Sequence, residues 1–200
     1  MNDFENIFLN QIIEIVQKLD KENISNFVSQ LKDFKEKKGR LFFCGSGGGA
    51  GHSSHAAADF RKLLNIESYS ISDNVSELTA RINDDGWDTS YKDYLVSSRF
   101  SLNDGLFIFS VGGGSIDPPV SSQLINAANF AKNKNGTVFS IVGRNGGEIK
   151  KISDCCIIVP VVDEKFVTAH TEGWQAYLWH FLVSHPELNP EIPKWESIVY

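Results

Sequence analysis

The chain has 200 residues, 42% of them apolar and 22% charged, and 19 basic against 25 acidic residues give a formal net charge of −6. This composition excludes a disordered, collagen-like or predominantly coiled-coil chain, and the length fits one domain with room for a helical appendage. Neither nucleic acid nor membrane is expected as a partner, because the surface is acidic overall and no apolar run reaches the roughly 18 residues of a membrane span.

Residues 1–37 form an N-terminal helical segment. Phe4, Ile7, Phe8, Ile12, Ile15, Val16 and Leu19 recur at helical spacing, and a polar break at 20–23 precedes a second helix carrying Ile24, Phe27, Val28, Leu31 and Phe34. The start, MNDFENIF, is acidic and amphipathic, unlike a signal peptide. The closing run KEKKGR puts cations where the helix dipole favours them. From 38 to 185 short apolar runs alternate with helical stretches. Strands are expected at 41–44, 69–71, 106–111, 138–142 and 156–159. Helices are expected near 51–64, 75–82, 89–100, 120–133, 147–152 and 167–184. Strands that are apolar throughout and alternate with helices predict an α/β fold with a parallel sheet covered on both faces. Residues 186–200, with Pro186, Pro190 and Pro193, read as an extended arm. Its Trp195, Ile198, Val199 and Tyr200 are apolar enough to expect contact with a neighbouring subunit. Three cysteines, Cys44, Cys155 and Cys156, make a poor disulfide framework and fit a reducing cytoplasm.

Two glycine-rich loops follow the first and third expected strands. One is Gly45-Ser46-Gly47-Gly48-Gly49-Ala50-Gly51, the other Val111-Gly112-Gly113-Gly114-Ser115. Open α/β sheets bind ligands at the carboxyl ends of their strands. Glycine lets the backbone approach an anion there, and the helix that follows offers free N–H groups. Ser46, Ser110 and Ser115 add hydroxyls. The loops therefore predict a small phosphorylated ligand, contacted by Ser46, Gly47, Gly48, Gly49, Ser110, Gly112, Gly113, Gly114 and Ser115. A dinucleotide site is disfavoured because Asp73 lies too far beyond the second strand, and no Walker lysine follows either loop.

His55 and Asp59 are four residues apart on the helix after the first loop, so they share a face and can chelate one divalent metal. Glu172 and His180 lie eight apart on the last helix, with Gln175 between them amid Trp174, Tyr177, Trp179 and Phe181. Eight residues span roughly 12 Å of straight helix. Both reach one ion only if the helix bends or two copies contribute, which points to an oligomer with sites at subunit contacts. His52 and His185 read as loop or helix-end residues, and His170 as a candidate for the cleft of Glu172.

With these features in place, the chain resembles a SIS (sugar isomerase) domain, and within that group the sedoheptulose 7-phosphate, or phosphoheptose, isomerases. The likeness runs from the N-terminal helices to about Ser184. The family's G-N-G-G-S is matched by Gly45-Ser46-Gly47-Gly48-Gly49, with His55 and Asp59 at the offsets of its His and Glu. Its S-T-S-G-N-S corresponds to the segment from Ser110 to Ser115, its Asn-Asp to Asn83-Asp84, and its Gln with a His eight residues on to Glu172 and His180. Ser46, Gly49, Asp59, Leu63, Ala169 and Glu172 depart from the family pattern and mark a retuned pocket.

The resemblance implies a SIS-type three-layer sandwich, a five-stranded parallel sheet flanked by helices, with the N-terminal helices added. It implies an aldose–ketose isomerase of carbohydrate metabolism that converts sedoheptulose 7-phosphate to a heptose 7-phosphate through an enediol, in heptose biosynthesis. A divalent metal, zinc, would be held by His55, Asp59, Glu172 and His180. Asp59 or Glu172 would be the base, His180 the acid, and Asp84 would orient sugar hydroxyls. The implied assembly is a cytoplasmic homotetramer with sites at subunit interfaces, for which the apolar N-terminal helices are the natural packing surface, if they do not instead cover the sheet. Two further readings stay open: an isomerase of a different sugar phosphate, and a non-catalytic SIS module that senses a phosphosugar or bridges partners.

Overall fold

Five short strands, β1 Leu41–Gly45, β2 Ser68–Ser70, β3 Gly105–Ser110, β4 Thr137–Val142 and β5 Cys155–Ile158, pair in parallel in the order β2-β1-β3-β4-β5. The computed structural model describes residues 3–190 and Trp195. Leu41 stands opposite both Ser68 and Gly105, and Gly105 opposite Thr137, so the central strands start level and end level. Side chains alternate across the sheet. Leu41, Phe43, Phe107, Phe109, Phe139 and Ile141 pack on one face, and Phe42, Cys44, Leu106, Ile108, Val138 and Val142 on the other. Both faces are buried, which is why the strands read as unbroken apolar runs.

The helices are α1 Phe4–Lys18, α2 Lys21–Glu36, α3 Gly48–Leu64, α4 Val75–Asp85, α5 Ser90–Ser97, α6 Ser122–Asn133, α7 Gly147–Ile152 and α8 Val167–Ser184. The first face of the sheet is covered by α2, α3 and α8, the second by α5, α6 and α7. The polar break expected at 20–23 is a cap: the Asp20 carboxylate accepts from the Asn23 N–H at 2.9 Å and starts α2. The two N-terminal helices then differ. Phe27, Val28, Leu31 and Phe34 of α2 are buried against the sheet, whereas α1 buries only Gln11 and Ile15. Phe4, Ile7, Leu9, Ile12, Ile13 and Val16 of α1 stay exposed. So α2 covers the sheet, and α1 offers an apolar face outward.

After α8, Leu188 is buried and its carbonyl accepts from Lys35 Nζ at 2.6 Å. Trp195 of the arm packs on His180 of its own chain with ring centroids 5.6 Å apart, whereas Ile198, Val199 and Tyr200, and with them the rest of the expected subunit contact, lie outside the described residues. No helix among the described residues is long and apolar enough to cross a membrane.

The chain reverses direction across the sheet between β1 and β3, which leaves a crevice at their carboxyl ends. Both glycine loops open into it, because these two strands are neighbours.

Candidate active site

The first loop is a tight return. A Cβ on Gly49 would come within 2.8 Å of the Phe109 carbonyl oxygen, so only glycine lets α3 rest directly on the backbone of β3. The buried Tyr91 hydroxyl donates to the Gly45 carbonyl at 2.8 Å and fixes the end of β1. In the second loop Gly113 has φ +72°, and a Cβ there would lie 1.9 Å from the Gly146 carbonyl oxygen. The carbonyls of Gly113 and Gly114 accept from the Ile149 and Glu148 N–H groups at 2.8 and 3.1 Å. The start of α7 thus braces the second loop, a contact with no counterpart in the sequence reading.

All three candidate serines are held in place. Ser110 Oγ accepts from the Gly113 N–H at 3.0 Å, and Ser115 Oγ donates to the Asp117 carbonyl at 3.2 Å. Ser46, exposed beside Gly47 and Gly48, accepts from Gln123 Nε2. Gln123 is 1% exposed, and its Oε1 has no partner among the described residues. It ties α6 to the first loop. Nothing in the sequence sets it apart from any other amide in an amphipathic helix.

The second half of the site is the seam between α3 and α8. Glu172 lies beside Gly48, His52 beside Gln175, and Asp59 beside Trp179 and His180. The two helices therefore run in the same direction along the seam. At its far end His55 Nε2 and His180 Nε2 each stand 3.5 Å from Asp59 Oδ2. The ligand atoms of the three residues all lie within 4.8 Å of one another. Asp59 is buried, and Trp179 Nε1 donates to the same Oδ2 at 3.1 Å. His180 Nδ1 is 2.7 Å from the Ala176 carbonyl oxygen. A carbonyl only accepts, so Nδ1 carries the hydrogen and Nε2 keeps its lone pair for the cluster. Two imidazoles and a carboxylate, each oriented by a further hydrogen bond or by packing, suit a divalent metal of the zinc type.

Glu172 is not in this group. A Cβ on Gly48 would meet its carboxylate at 2.5 Å, so Glu172 sits at the mouth of the first loop, where the positive end of α3 favours an anion. Gly48 precedes His55 by seven residues, on the order of 10 Å of helix. α8 is continuous from Val167 to Ser184, so Glu172 and His180 stay apart, and one chain gathers three of the four expected ligands. Asp84 is exposed near the end of α4, accepts from Asn83 Nδ2 at 2.8 Å, and bonds to neither loop among the described residues. His170 lies under α1, not in the cleft: its ring stacks on Phe8 with centroids 4.6 Å apart, and its Nε2 donates to Gln11 Oε1 at 2.7 Å. Burial lowers the pKa of this imidazole against the opposing pull of Asp163. His52, expected as a helix-end residue, has Nδ1 3.2 Å from Gln175 Oε1.

No protein-family model matches the chain. The phosphoheptose isomerase of Helicobacter pylori (strain P12) is 29% identical over 160 residues, 78% of each chain. The lincomycin biosynthesis protein LmbN of Streptomyces lincolnensis is 31% identical over 154 residues, 74% of this chain, and the match spans 56% of LmbN. The solved phosphoheptose isomerase GmhA of Neisseria gonorrhoeae has a TM-score of 0.77 over 91% of this chain and 96% of its own, at 23% identity. The chain is similar to phosphoheptose isomerases in sequence and shares their fold. The five-stranded parallel sheet between two helical layers is the SIS fold that the sequence led us to expect. This phosphoheptose isomerase-like chain carries both glycine loops on adjacent strands, and its imidazoles and carboxylate meet further along the α3–α8 seam, on the order of 10 Å from the first loop.

Proposed function

We propose that the chain is an aldose–ketose isomerase of a sugar phosphate, with sedoheptulose 7-phosphate as substrate, an aldose heptose 7-phosphate as product and an enediol between them. The observation that carries this reading is the convergence of His55, Asp59 and His180 within 4.8 Å at one end of the α3–α8 seam, with the glycine loops at the other end. A seven-carbon sugar phosphate can bridge that span.

In this reading the phosphate lies against Ser46, Gly47 and Gly49 of the first loop and the stretch from Ser110 to Ser115 of the second, while Gly48, also expected there, is covered by the Glu172 carboxylate. Gripping a remote group orients the reacting carbons. Asp59 Oδ2 takes the contacts with Trp179 and both imidazoles, while Oδ1 makes no hydrogen bond among the described residues. Oδ1 is the oxygen free to take the proton from C1 and return it to C2. The hydroxyl proton of O1 passes to O2, so ketose and aldose have the same composition. His180 has only Nε2 free, so it holds a cation or moves a proton, not both. Its approach to Asp59 and His55 favours the cation-holding role over that of the acid. A divalent cation, zinc, held by His55, Asp59 and His180, would stabilise negative charge on the enediol oxygens.

Glu172 joins such a site only from another copy of the chain. The exposed apolar row of α1, and a groove of about 400 Å³ lined by Phe8, Ile12, Val16, Trp174 and Tyr177, support a homo-oligomer, taken here as a cytoplasmic tetramer. Within it we assign 1–37 to an N-terminal helical segment whose α1 does the packing, 38–185 to the phosphosugar domain and 186–200 to the arm.

Proton NMR in deuterated water tests the reading. The wild-type protein should exchange one C1 hydrogen of sedoheptulose 7-phosphate with solvent and accumulate the aldose. Asp59→Asn and His180→Gln should lose turnover by about 100-fold or more while keeping the fold. A metal-loaded protein that exchanges no hydrogen on any C5 to C7 ketose phosphate would refute it.

A further inference from the structure

Gln175 is completely buried in the middle of the α3–α8 seam. Its Nε2 donates to the carbonyls of Ser110 at 3.2 Å and Ile141 at 2.9 Å, at the carboxyl ends of β3 and β4. Both amide hydrogens are used on oxygens that can only accept, so the side chain has one orientation, and Oε1 faces His52 Nδ1 at 3.2 Å. His52 Nδ1 must therefore donate. The neutral ring keeps its lone pair on Nε2. The His52 ring is further wedged against Trp179 and Phe109, with centroids 5.0 and 6.0 Å away. Trp179 is the residue whose indole N–H reaches Asp59. His52 is thus oriented from the end of the strand that leads into the second loop, and it borders the metal-type cluster through one indole ring.

Its position along α3 is intermediate, four residues after Gly48 at the loop mouth and three before His55. The side chain is half-buried, and the neighbouring Gly51 has nothing within 4 Å of where a Cβ would stand. We propose that His52 is a further substrate-contacting residue, whose Nε2 accepts a hydrogen bond from a hydroxyl in the middle of the sugar chain. Gln175 is its positioning residue. The assignment rests on the phosphosugar isomerase reading of the same site and adds to it a contact to the polyol portion of the ligand. A site built to pair with a hydroxyl discriminates strongly against a ligand that lacks it, because the acceptor is then left unpaired.

Two substitutions separate contact from scaffolding. His52→Asn puts an amide N–H where Nδ1–H lies and leaves nothing at Nε2. His52→Gln carries an amide out to the Nε2 position and gives up the bond to Gln175. Titration calorimetry on the full, metal-loaded chain uses sedoheptulose 7-phosphate and, separately, inorganic phosphate. We expect His52→Asn to keep the melting temperature and the inorganic phosphate affinity of the wild type. It should bind the sugar phosphate about tenfold more weakly and raise KM by a similar factor, with kcat changed less. His52→Gln should recover part of that loss in spite of a lower melting temperature. In the wild type, the His52 ring resonances should move on addition of sugar phosphate and stay in place with inorganic phosphate, a readout independent of how either variant folds.

A silent His52→Asn together with an impaired His52→Gln would make His52 purely structural, and unmoved ring resonances would say the same. A wild type that binds inorganic phosphate but neither binds nor converts the sugar phosphate would overturn the isomerase reading and this contact with it. An active wild type with unchanged sugar affinity in His52→Asn would overturn the contact alone.

Discussion

Trp179→Phe tests whether the carboxylate of Asp59 is set up as a ligand. The indole N–H reaches Oδ2 at 3.1 Å, and Trp179 is 2% exposed. Phenylalanine keeps an aromatic ring near Phe109 and removes the indole donor that orients that oxygen from within the core. Losing a hydrogen-bond partner of a metal ligand costs about 10- to 100-fold in metal affinity, equivalent to about 1.4–2.7 kcal/mol. With metal in excess, that difference appears directly as lost stabilisation. In a chain of this size each kcal/mol moves the melting temperature by about 2–4 °C. The melting temperature rise produced by zinc should therefore shrink by about 3–10 °C relative to the wild type. Melting with and without zinc, together with titration against a zinc-chelating dye, measures both quantities. Trp174→Phe is the control, because that ring packs on Tyr177 with centroids 5.0 Å apart, away from the cluster. If Trp179→Phe folds cooperatively and binds zinc within twofold of the wild type, the indole does not orient the ligand.

Two further predictions concern stability and assembly. Asp104 is buried, which opposes its ionisation, but its hydrogen bond with the Arg40 guanidinium and that with the Ser101 N–H outweigh burial and hold its carboxyl below the usual carboxylate range. Arg40 reaches it at 2.8 and 2.9 Å. Stability from this ion pair is complete above the unfolded value of about pH 4 and is lost as pH falls through the lower folded value. Asp104→Asn should cost about 2–3 kcal/mol in denaturant melts at pH 7, below the full cost of breaking a buried pair because Arg40 is partly exposed. A gap that does not narrow toward acid pH would rule out the ion pair as its cause. On α1, Leu9 and Ile13 are 58% and 56% exposed, so Leu9→Glu with Ile13→Glu should leave the fold intact and lower the mass in light scattering. An unchanged mass would remove α1 from the assembly.

Most of the fold was legible in the chain because its signals are local. All five strands lie within a residue or so of where the apolar runs put them, and the helices at 147–152 and 167–184 fall where their periodicity placed them. α4 runs on to Asp85 rather than 82, and three other boundaries that moved have identifiable causes. α3 starts at Gly48 rather than 51, since glycine lowers helix propensity and made the loop read long. α5 stops at Ser97, although the apolar pattern runs on to Phe100, because Arg99 takes φ +52°. α6 starts at Ser122 after Ser121 adopts φ +55°.

The site was legible only in part. His55 and Asp59 share a helix face, and a spacing of four shows it. The same helical arithmetic warned that Glu172 and His180 are too far apart for one ion, and the unbroken α8 bears that out within one chain. The bond from His52 to Gln175 joins residues 123 positions apart, and Gln123 reaches Ser46 across 77. No periodicity encodes such pairs.

Periodicity, capping residues and glycine spacing act over a few residues, so the chain alone established a parallel α/β sheet, two anion-ready loops and a His–carboxylate face on α3. Which helices lie against one another is set by strand order and by the burial of both faces of the sheet, a collective outcome of packing the whole core. That packing laid α8 alongside α3, brought His180 to Asp59, kept Glu172 at the loop and turned the apolar face of α1 outward. Side-chain contacts across such a seam depend on the sum of many burial energies rather than on any one local signal, and so they appear only once the core is assembled.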